Sequence, residues 1–284
     1  MTQIMHKIEI GNVPLGRGAP LCIIAGPCVI ESLDNLRYTA KTLKDITSQL
    51  NVGFVFKSSF DKANRSSASS FRGPGLTKGL KMLQTIKEEL DIPVLSDIHE
   101  TSQTKEASLV LDCIQIPAFL ARQTDLLVSA ASCGKPLNVK KGQFMAPGDM
   151  ANVIDKVKDV PNFKGISLCE RGASFGYHNL VVDMRSLVIM RELSWPVIFD
   201  ATHSVQLPAA SGSVSSGERH FVPALARAAV AVGVDGVFLE THPDPPKALC
   251  DGPNQWPLDQ FATLIKSLLA IRKEVENHAE TITS

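Results

Sequence analysis

Eight short apolar runs recur along the chain, each ending in a polar residue just before a loop: LCIIAGPC, FVFKSSF, PVLSDIH, CIQIPAF, PLNVKKG, ISLCERG, PVIFDATHS and GVFLETH. Such runs, bounded by turn-forming residues, read as strands buried on both faces. Between them lie stretches with helical spacing, roughly 32–50, 76–90, 102–111, 124–133, 147–160, 183–192, 218–232 and 258–277. Ser32 and Pro147-Gly148-Asp149 supply start signals for the first and fifth of these. A single run such as VFLE could equally be buried helix. The regular alternation is what argues for βα units and a parallel sheet. Eight units predict an α/β fold, a (β/α)8 TIM barrel, forming one catalytic domain over residues 1–284. In that fold the C-terminal ends of all strands meet at one mouth, where barrel enzymes keep their chemistry. The reading puts Cys28, Lys57, Asp97, Gln115, Lys140, Arg171, His203 and Glu240 there.

Ahead of the first run, KIEIGNVPLGRG predicts a short N-terminal β-hairpin turning at Gly11-Asn12 and closing the opposite end of the barrel. Three long polar loops, 61–75, 204–217 and 243–256, follow strands and so belong to the reactive face.

The chain has 284 residues, 44% of them apolar, enough for one large core. Its 29 basic and 29 acidic residues cancel, which excludes the global basic field that drives nucleic-acid or anionic-membrane binding. The opening MTQIMHKIEI lacks the apolar centre of a signal peptide, and the uncharged stretch 18–30 is broken by Pro and Gly. The expectation is a soluble cytoplasmic protein. Six cysteines, Cys22, Cys28, Cys113, Cys133, Cys169 and Cys250, show no CxxC spacing and read as free thiols. Cys22, Cys113 and Cys169 fall inside strands as small hydrophobes, whereas Cys28 follows Gly-Pro at a strand end.

Against a neutral background, Lys57, Lys62, Arg65, Lys140, Lys141 and Arg171 gather at or after three strand ends. Each alone could be a solvated loop charge, but together on one face they suit a phosphorylated or carboxylated substrate. The segment KSSFDKANRSS, residues 57–67, packs donors densely enough to grip a phosphate and neighbouring hydroxyls, or is simply a polar turn. A second set, Cys28, His203, Glu240 and Asp251, mixes thiol, imidazole and carboxylates in a way compatible with a divalent metal. These residues come from the first, seventh and eighth strands and the loop after the eighth, consecutive around a closed ring. The alternative leaves His203 as a general base and Cys28 as a buried thiol. His99 and His242 compete as ligands but read as hydrogen-bonded structural histidines. No GxSxG elbow, GxxxxGK[ST] loop or GxGxxG after the first strand is present, so serine-hydrolase, P-loop and Rossmann readings lack support.

The segments IIAGPCVIES, FVFKSSFDKANRSS, RGPGL, IQIPAFLARQTDLL, NVKKGQF, ERGASFGYHNLVVD, IFDATHSVQLP, FLETHPDP and CDGP resemble, over about residues 21–260, the 3-deoxy-D-manno-octulosonate 8-phosphate synthase family. The resemblance implies a TIM barrel that condenses phosphoenolpyruvate with D-arabinose 5-phosphate and water, feeding Kdo and lipopolysaccharide biosynthesis. It implies the metal-dependent class, because Cys28 stands where the metal-free class resembles an Asn. Cys28, His203, Glu240 and Asp251 would then hold one divalent ion, Zn, Fe or Mn. Lys57, Gln115, Lys140 and Arg171 resemble positions around phosphoenolpyruvate, and Lys62, Asn64, Arg65 and Ser66 those around the pentose phosphate. Among these, Lys57, Lys62, Lys140 and His203, together with Asp97, are the implied catalytic residues. Arg122 resembles a residue that reaches the pentose phosphate of a neighbouring subunit, in a family typically homotetrameric. Two other readings are a related 3-deoxy-heptulosonate 7-phosphate synthase using erythrose 4-phosphate, against which KANRSS argues, and a non-catalytic barrel that binds sugar phosphates.

Overall fold

The structure, a computed structural model, describes residues 5–65, 67, 69–211 and 214–278. Eight parallel strands form the barrel: β1 (Cys22–Gly26), β2 (Gly53–Lys57), β3 (Val94–Asp97), β4 (Cys113–Ile116), β5 (Leu137–Lys140), β6 (Ile166–Glu170), β7 (Val197–Asp200) and β8 (Gly236–His242). Each pairs with the next in chain order, and β8 pairs with β1 through Gly236↔Cys22 to Glu240↔Gly26, closing the ring. The expected (β/α)8 barrel is therefore present. Its outer layer is α1 (Leu33–Gln49), α2 (Leu76–Leu90), α3 (Thr104–Val110), α4 (Thr124–Ser132), α5 (Met150–Val157), α6 (Arg185–Arg191), α7 (Val222–Val232) and α8 (Phe261–His278).

The helix start signals work locally as read. Ser32 caps α1, its hydroxyl accepting from the Asn35 N–H at 3.2 Å. Pro147–Asp149 forms a single 3₁₀ turn before α5, with the Asp149 carboxylate accepting from the Ala146 N–H at 3.0 Å. Helix α7 stops where Gly233 adopts φ +100°, a conformation only glycine takes without strain.

Side chains alternate across each strand. Outward residues such as Ile23, Ala25, Phe54 and Phe56 pack under the helices. Inward ones, Cys22, Ile24, Val55, Leu95, Cys113, Cys169, Ile198 and Phe238, fill the barrel. Burial pushes the thiols of Cys22 and Cys169 up to about 12, so both behave as apolar filler.

The N-terminal hairpin is real: Ile8–Ile10 and Val13–Leu15 pair with Ile10 opposite Val13. Ile8, Ile10, Val13 and Leu15 join the barrel-interior cluster from the end where the strands begin. Each such buried aliphatic side chain contributes roughly 1.5–3 kcal/mol by transfer, so the hairpin is a stopper held by its own core.

The long loops differ in part from expectation. Residues 204–217 are not plain loop but carry a hairpin, Gln206–Ser211 against Val214–Gly217. Residues 243–256 return to the barrel, where Trp256–Pro257 extends β8 by pairing with Thr241 and His242. A further hairpin, Ala173–Ser174 with Leu180–Val181, follows β6. The pairings at Trp256–Pro257 and Ala173–Ser174 involve strands of two residues, too short to leave a recognisable alternation in the sequence.

Gly26 ends β1 with its backbone pressed on β2, and a Cβ there would run into the carbonyl of Lys57. Backbone cannot swing aside as a side chain can. Gly26→Ala is therefore expected to destabilise by at least the roughly 1–3 kcal/mol of ordinary overpacking, seen as a lower midpoint in denaturant unfolding with an unchanged slope.

Candidate active site

The two-residue period that fills the barrel with apolar side chains also builds the site. One step further along five strands the inward residue changes from apolar to polar: Val55 to Lys57, Leu95 to Asp97, Cys113 to Gln115, Ile198 to Asp200 and Phe238 to Glu240. Lys140, Arg171 and His203 join them from β5 and the segments after β6 and β7. The result is a cavity of about 330 Å³ at the C-terminal mouth, its walls including Lys57, Asp97, Gln115, Lys140, Arg171 and His203.

Two buried ion-pair networks form its floor. In the first, the Lys57 ammonium is 1% exposed and donates to Glu240 Oε1 at 2.9 Å, Ser59 Oγ at 3.0 Å and the Cys28 carbonyl at 3.2 Å. Ser59 in turn donates its hydroxyl hydrogen bond to Asp97, whose other oxygen bonds His99 Nε2 at 3.0 Å. Burial opposes ionisation of Asp97, but the His99 hydrogen bond and the charges of Lys57 and Lys62 outweigh it and hold the carboxyl well below the usual range. In the second, Asp200, fully buried, takes Lys140 Nζ and His203 Nδ1 on one oxygen, the latter at 2.7 Å. Its other oxygen accepts from the Thr202 and His203 N–H groups at 3.2 and 2.9 Å. Lys140 Nζ also sits 3.3 Å from the centre of the Phe238 ring.

The second network decides what His203 can do. With Nδ1 committed to Asp200, the other nitrogen, Nε2, is turned to Glu240 Oε2 at 3.4 Å and Asp251 Oδ2 at 4.0 Å. Carboxylate-fixed imidazole of this kind is how metal-binding histidines are oriented. Glu240 Oε2 is buried and has no hydrogen-bond partner, an unmet acceptor aimed into the same space. Cys28 Sγ lies 3.7 Å from Asp251 Oδ2. Donor atoms of His203, Glu240 and Asp251 fall within 4.8 Å of one another, as do those of Cys28, Cys250 and Asp251. Asp251 belongs to both groups and links them, Cys28 standing with Cys250 on one side and His203 with Glu240 on the other; thiol, imidazole and carboxylate donors of this kind fit a borderline-soft divalent ion. Burial opposes the charged form of Glu240, yet His203, Lys57 and Lys62 together hold its carboxyl well below the usual range. Burial, then Cys250 and Glu240, push the Cys28 thiol well up, and a cation would reverse that.

On the anion-holding side, Gln115 is fixed by Asn138, whose amide donates to Gln115 Oε1 at 3.0 Å, while Ser167 bonds Asn138 at 3.1 Å. Arg171 donates one Nη2 hydrogen bond to Gln206 at 3.0 Å; its Nη1 is buried without a partner. Lys62, Asn64 and Arg65 line the same cavity, Arg65 lying 3.5 Å from Asp251. Ser66 lies outside the described residues. Arg122 is exposed at the approach to α4 and does not line this cavity. Lys141, grouped with the mouth cations in sequence, instead points down to the Gly142 and Met145 carbonyls and lies 3.5 Å from Glu170. His99 and His242 are hydrogen-bonded within the protein, His242 to Asn35 and the Asp244 N–H.

Sequence reasoning missed Asp200 by taking His203 as the end of the seventh strand; β7 ends at Asp200 and His203 opens a 3₁₀ turn. The signal was there, since Asp200 follows inward Ile198 by two. It also missed Glu170, which accepts from the N–H groups of Arg171 and Gly172 and from the Ser186 hydroxyl, fixing the turn that carries Arg171. Cys250, set 3.0 Å from Cys28, comes from a loop 222 residues away with no local motif to announce it.

The sequence profile of the DAHP synthetase I family matches residues 3–277. The chain belongs to the DAHP synthetase I family. Within this family it is similar to proteins named 2-dehydro-3-deoxyphosphooctonate aldolase. The one from Xanthomonas euvesicatoria pv. vesicatoria (strain 85-10) is 57% identical over 271 residues, covering 95% of this chain and 98% of the relative. The one from Xylella fastidiosa (strain 9a5c) is 59% identical over 264 residues, covering 93% and 95%. Proteins with that name thus match the chain over nearly its whole length.

Proposed function

We propose that this protein is a 3-deoxy-D-manno-octulosonate 8-phosphate synthase of Kdo biosynthesis, the whole chain acting as one catalytic domain. It would join phosphoenolpyruvate to D-arabinose 5-phosphate with water, giving the eight-carbon sugar acid phosphate and inorganic phosphate. The observation that carries this reading is the meeting, in one cavity, of an anion-holding wall with His203 and Asp251, behind which Glu240 and Cys28 lie buried at 3.4 and 3.7 Å from them; the relatives' name agrees with it.

The reaction forms a bond from C3 of phosphoenolpyruvate to the aldehyde carbon, while water oxygen adds at C2. The aldehyde oxygen takes a proton, and the resulting tetrahedral intermediate loses phosphate by breaking the C2–O bond. Negative charge develops on the aldehyde oxygen and positive charge at C2. Lys57, Lys140, Arg171 and Gln115 would hold the phosphate and carboxylate of phosphoenolpyruvate, aligning the enol by positioning. The unpartnered Nη1 of Arg171 is a donor free for that purpose. Lys62, Asn64, Arg65 and Ser66 would receive the pentose phosphate. Asp97, held ionised, would accept a substrate hydroxyl while keeping Lys57 and Ser59 in place. Cys28, His203, Glu240 and Asp251 would hold one divalent ion, Zn, Fe or Mn. When bound, such an ion polarises a carbonyl or lowers the pKa of a water. Arg122, exposed and outside the lining of its own cavity, suits a role in a neighbouring subunit's site within a homotetramer. No helix among the described residues is long and apolar enough to cross a membrane, in keeping with a cytoplasmic enzyme.

Incubation with both substrates in buffer containing a divalent metal is expected to release phosphate and a thiobarbiturate-reactive keto acid. Erythrose 4-phosphate offered in competition is expected to be the poorer aldehyde. Absence of phosphate release, or a preference for the four-carbon sugar, overturns the assignment.

A further inference from the structure

Cys28 and Cys250 lie outside one another's local sequence by 222 residues, yet their sulfurs are 3.0 Å apart. The approach is built from more than one direction. The Gln255 side chain spans the two backbones, accepting from the Cys28 N–H at 3.3 Å and donating to the Cys250 carbonyl at 2.8 Å. Together with Val29 the two cysteines form their own small apolar cluster beside the cavity. Among the described residues no other pair of thiols is in such contact, and the remaining cysteines are free as well. A disulfide needs the sulfurs to close by about 1 Å more, to 2.03–2.05 Å.

The two sulfurs are not equivalent. Cys250 forms part of the cavity wall, and Arg65 Nη1 lies 2.8 Å from its sulfur. Cys28 is completely buried and does not line the cavity. A small oxidant entering the mouth therefore meets Cys250 first, with Cys28 directly behind.

We propose that Cys28 and Cys250 are a peroxide-sensitive dithiol site whose oxidation to a disulfide withdraws the Cys28 sulfur from the metal position. In the first step the Cys250 sulfur attacks one oxygen of hydrogen peroxide, the O–O bond breaks, and Cys250 sulfenic acid and one water result. In the second the Cys28 sulfur attacks the sulfenic sulfur, forming the S–S bond and releasing the second water. Overall two thiols are oxidised by two electrons and one peroxide is reduced to two waters. The disulfide itself follows from the thiol geometry; the loss of metal rests in addition on the ligand set proposed above. A bound ion holds Cys28 and opposes the second step, so metal and peroxide compete for one sulfur.

The test treats the full-length protein with hydrogen peroxide, with and without added Zn²⁺, then blocks free thiols and maps cysteine peptides by mass spectrometry alongside elemental analysis. The expected result is a Cys28–Cys250 linked peptide, formed more slowly with Zn²⁺ present, accompanied by metal release and reversed by dithiothreitol. Cys250→Ser is expected to form no linkage and to lose metal only as Cys28 passes irreversibly to sulfinic acid. Unlinked Cys28 and Cys250 after complete peroxide treatment of the unsubstituted protein overturn the proposal, as does metal loss from Cys250→Ser that dithiothreitol restores. A linkage that forms in a protein shown to bind no metal leaves the dithiol standing and removes the ligand assignment instead.

Discussion

Lys57→Ala is expected to lower kcat/KM by about 10²–10³-fold, the scale on which one preorganised charged donor acts at developing charge, and to weaken the fold at the same time. The ammonium is the common partner of Glu240, Ser59 and the Cys28 carbonyl, and it is almost wholly buried. Removing it leaves Glu240 with Lys62 at 3.5 Å and the His203 imidazole at 3.4 Å but without its hydrogen-bonded ammonium partner, and breaking a buried pair in this way costs about 3–5 kcal/mol. Both losses have one origin, so they appear together in steady-state kinetics and in denaturant unfolding. Lys57→Arg does not repair them, because a planar fork cannot occupy the point where three acceptors surround a single nitrogen. Activity of Lys57→Ala within tenfold of the unsubstituted protein would remove Lys57 from the site.

Exhaustive chelation is expected to reduce turnover to background, and one equivalent of a divalent ion per chain to restore it. The ground is the unsatisfied geometry: a buried carboxylate oxygen without a donor, an imidazole nitrogen turned toward it by Asp200, and a sulfur beside Asp251. Elemental analysis before and after chelation is the decisive companion measurement. Cys28→Asn is expected to retain some turnover after chelation, since an amide supplies strong N–H donors where the thiol supplies only a weak one. Full activity from protein shown to contain no ion would mean that these four side chains do something other than hold metal.

The barrel was legible because its eight barrel strands and eight helices alternate in regular order despite the short hairpins between some of them, and helix boundaries such as Leu76–Leu90 fall where composition changes. The site was legible to the extent that polar residues close apolar runs. Lys57, Asp97 and Lys140 end their strands and could be read directly. Asp200 was hidden because the run PVIFDATHS offers two chemically plausible endings, and the eye goes to the histidine. Counting by twos from Ile198 separates them, since a charge on the inward face of a buried strand must have partners there. Cys250 and Gln255 are different in kind. Their importance lies in contacts across more than 220 residues of chain, and no local period encodes such a meeting. The turn after β6 is likewise set by Glu170 bonding two successive N–H groups, an arrangement that composition does not reveal.

The apolar plug made by Ile8, Ile10, Val13 and Leu15 has a consequence for traffic. A barrel packed through its middle and corked at one end leaves, among the described residues, a blind chamber that opens at the other end, so both reactants enter and both products depart over the same threshold. Whichever reactant sits deepest must arrive before the other bars its way, and an exit blocked by one product keeps the other waiting behind it.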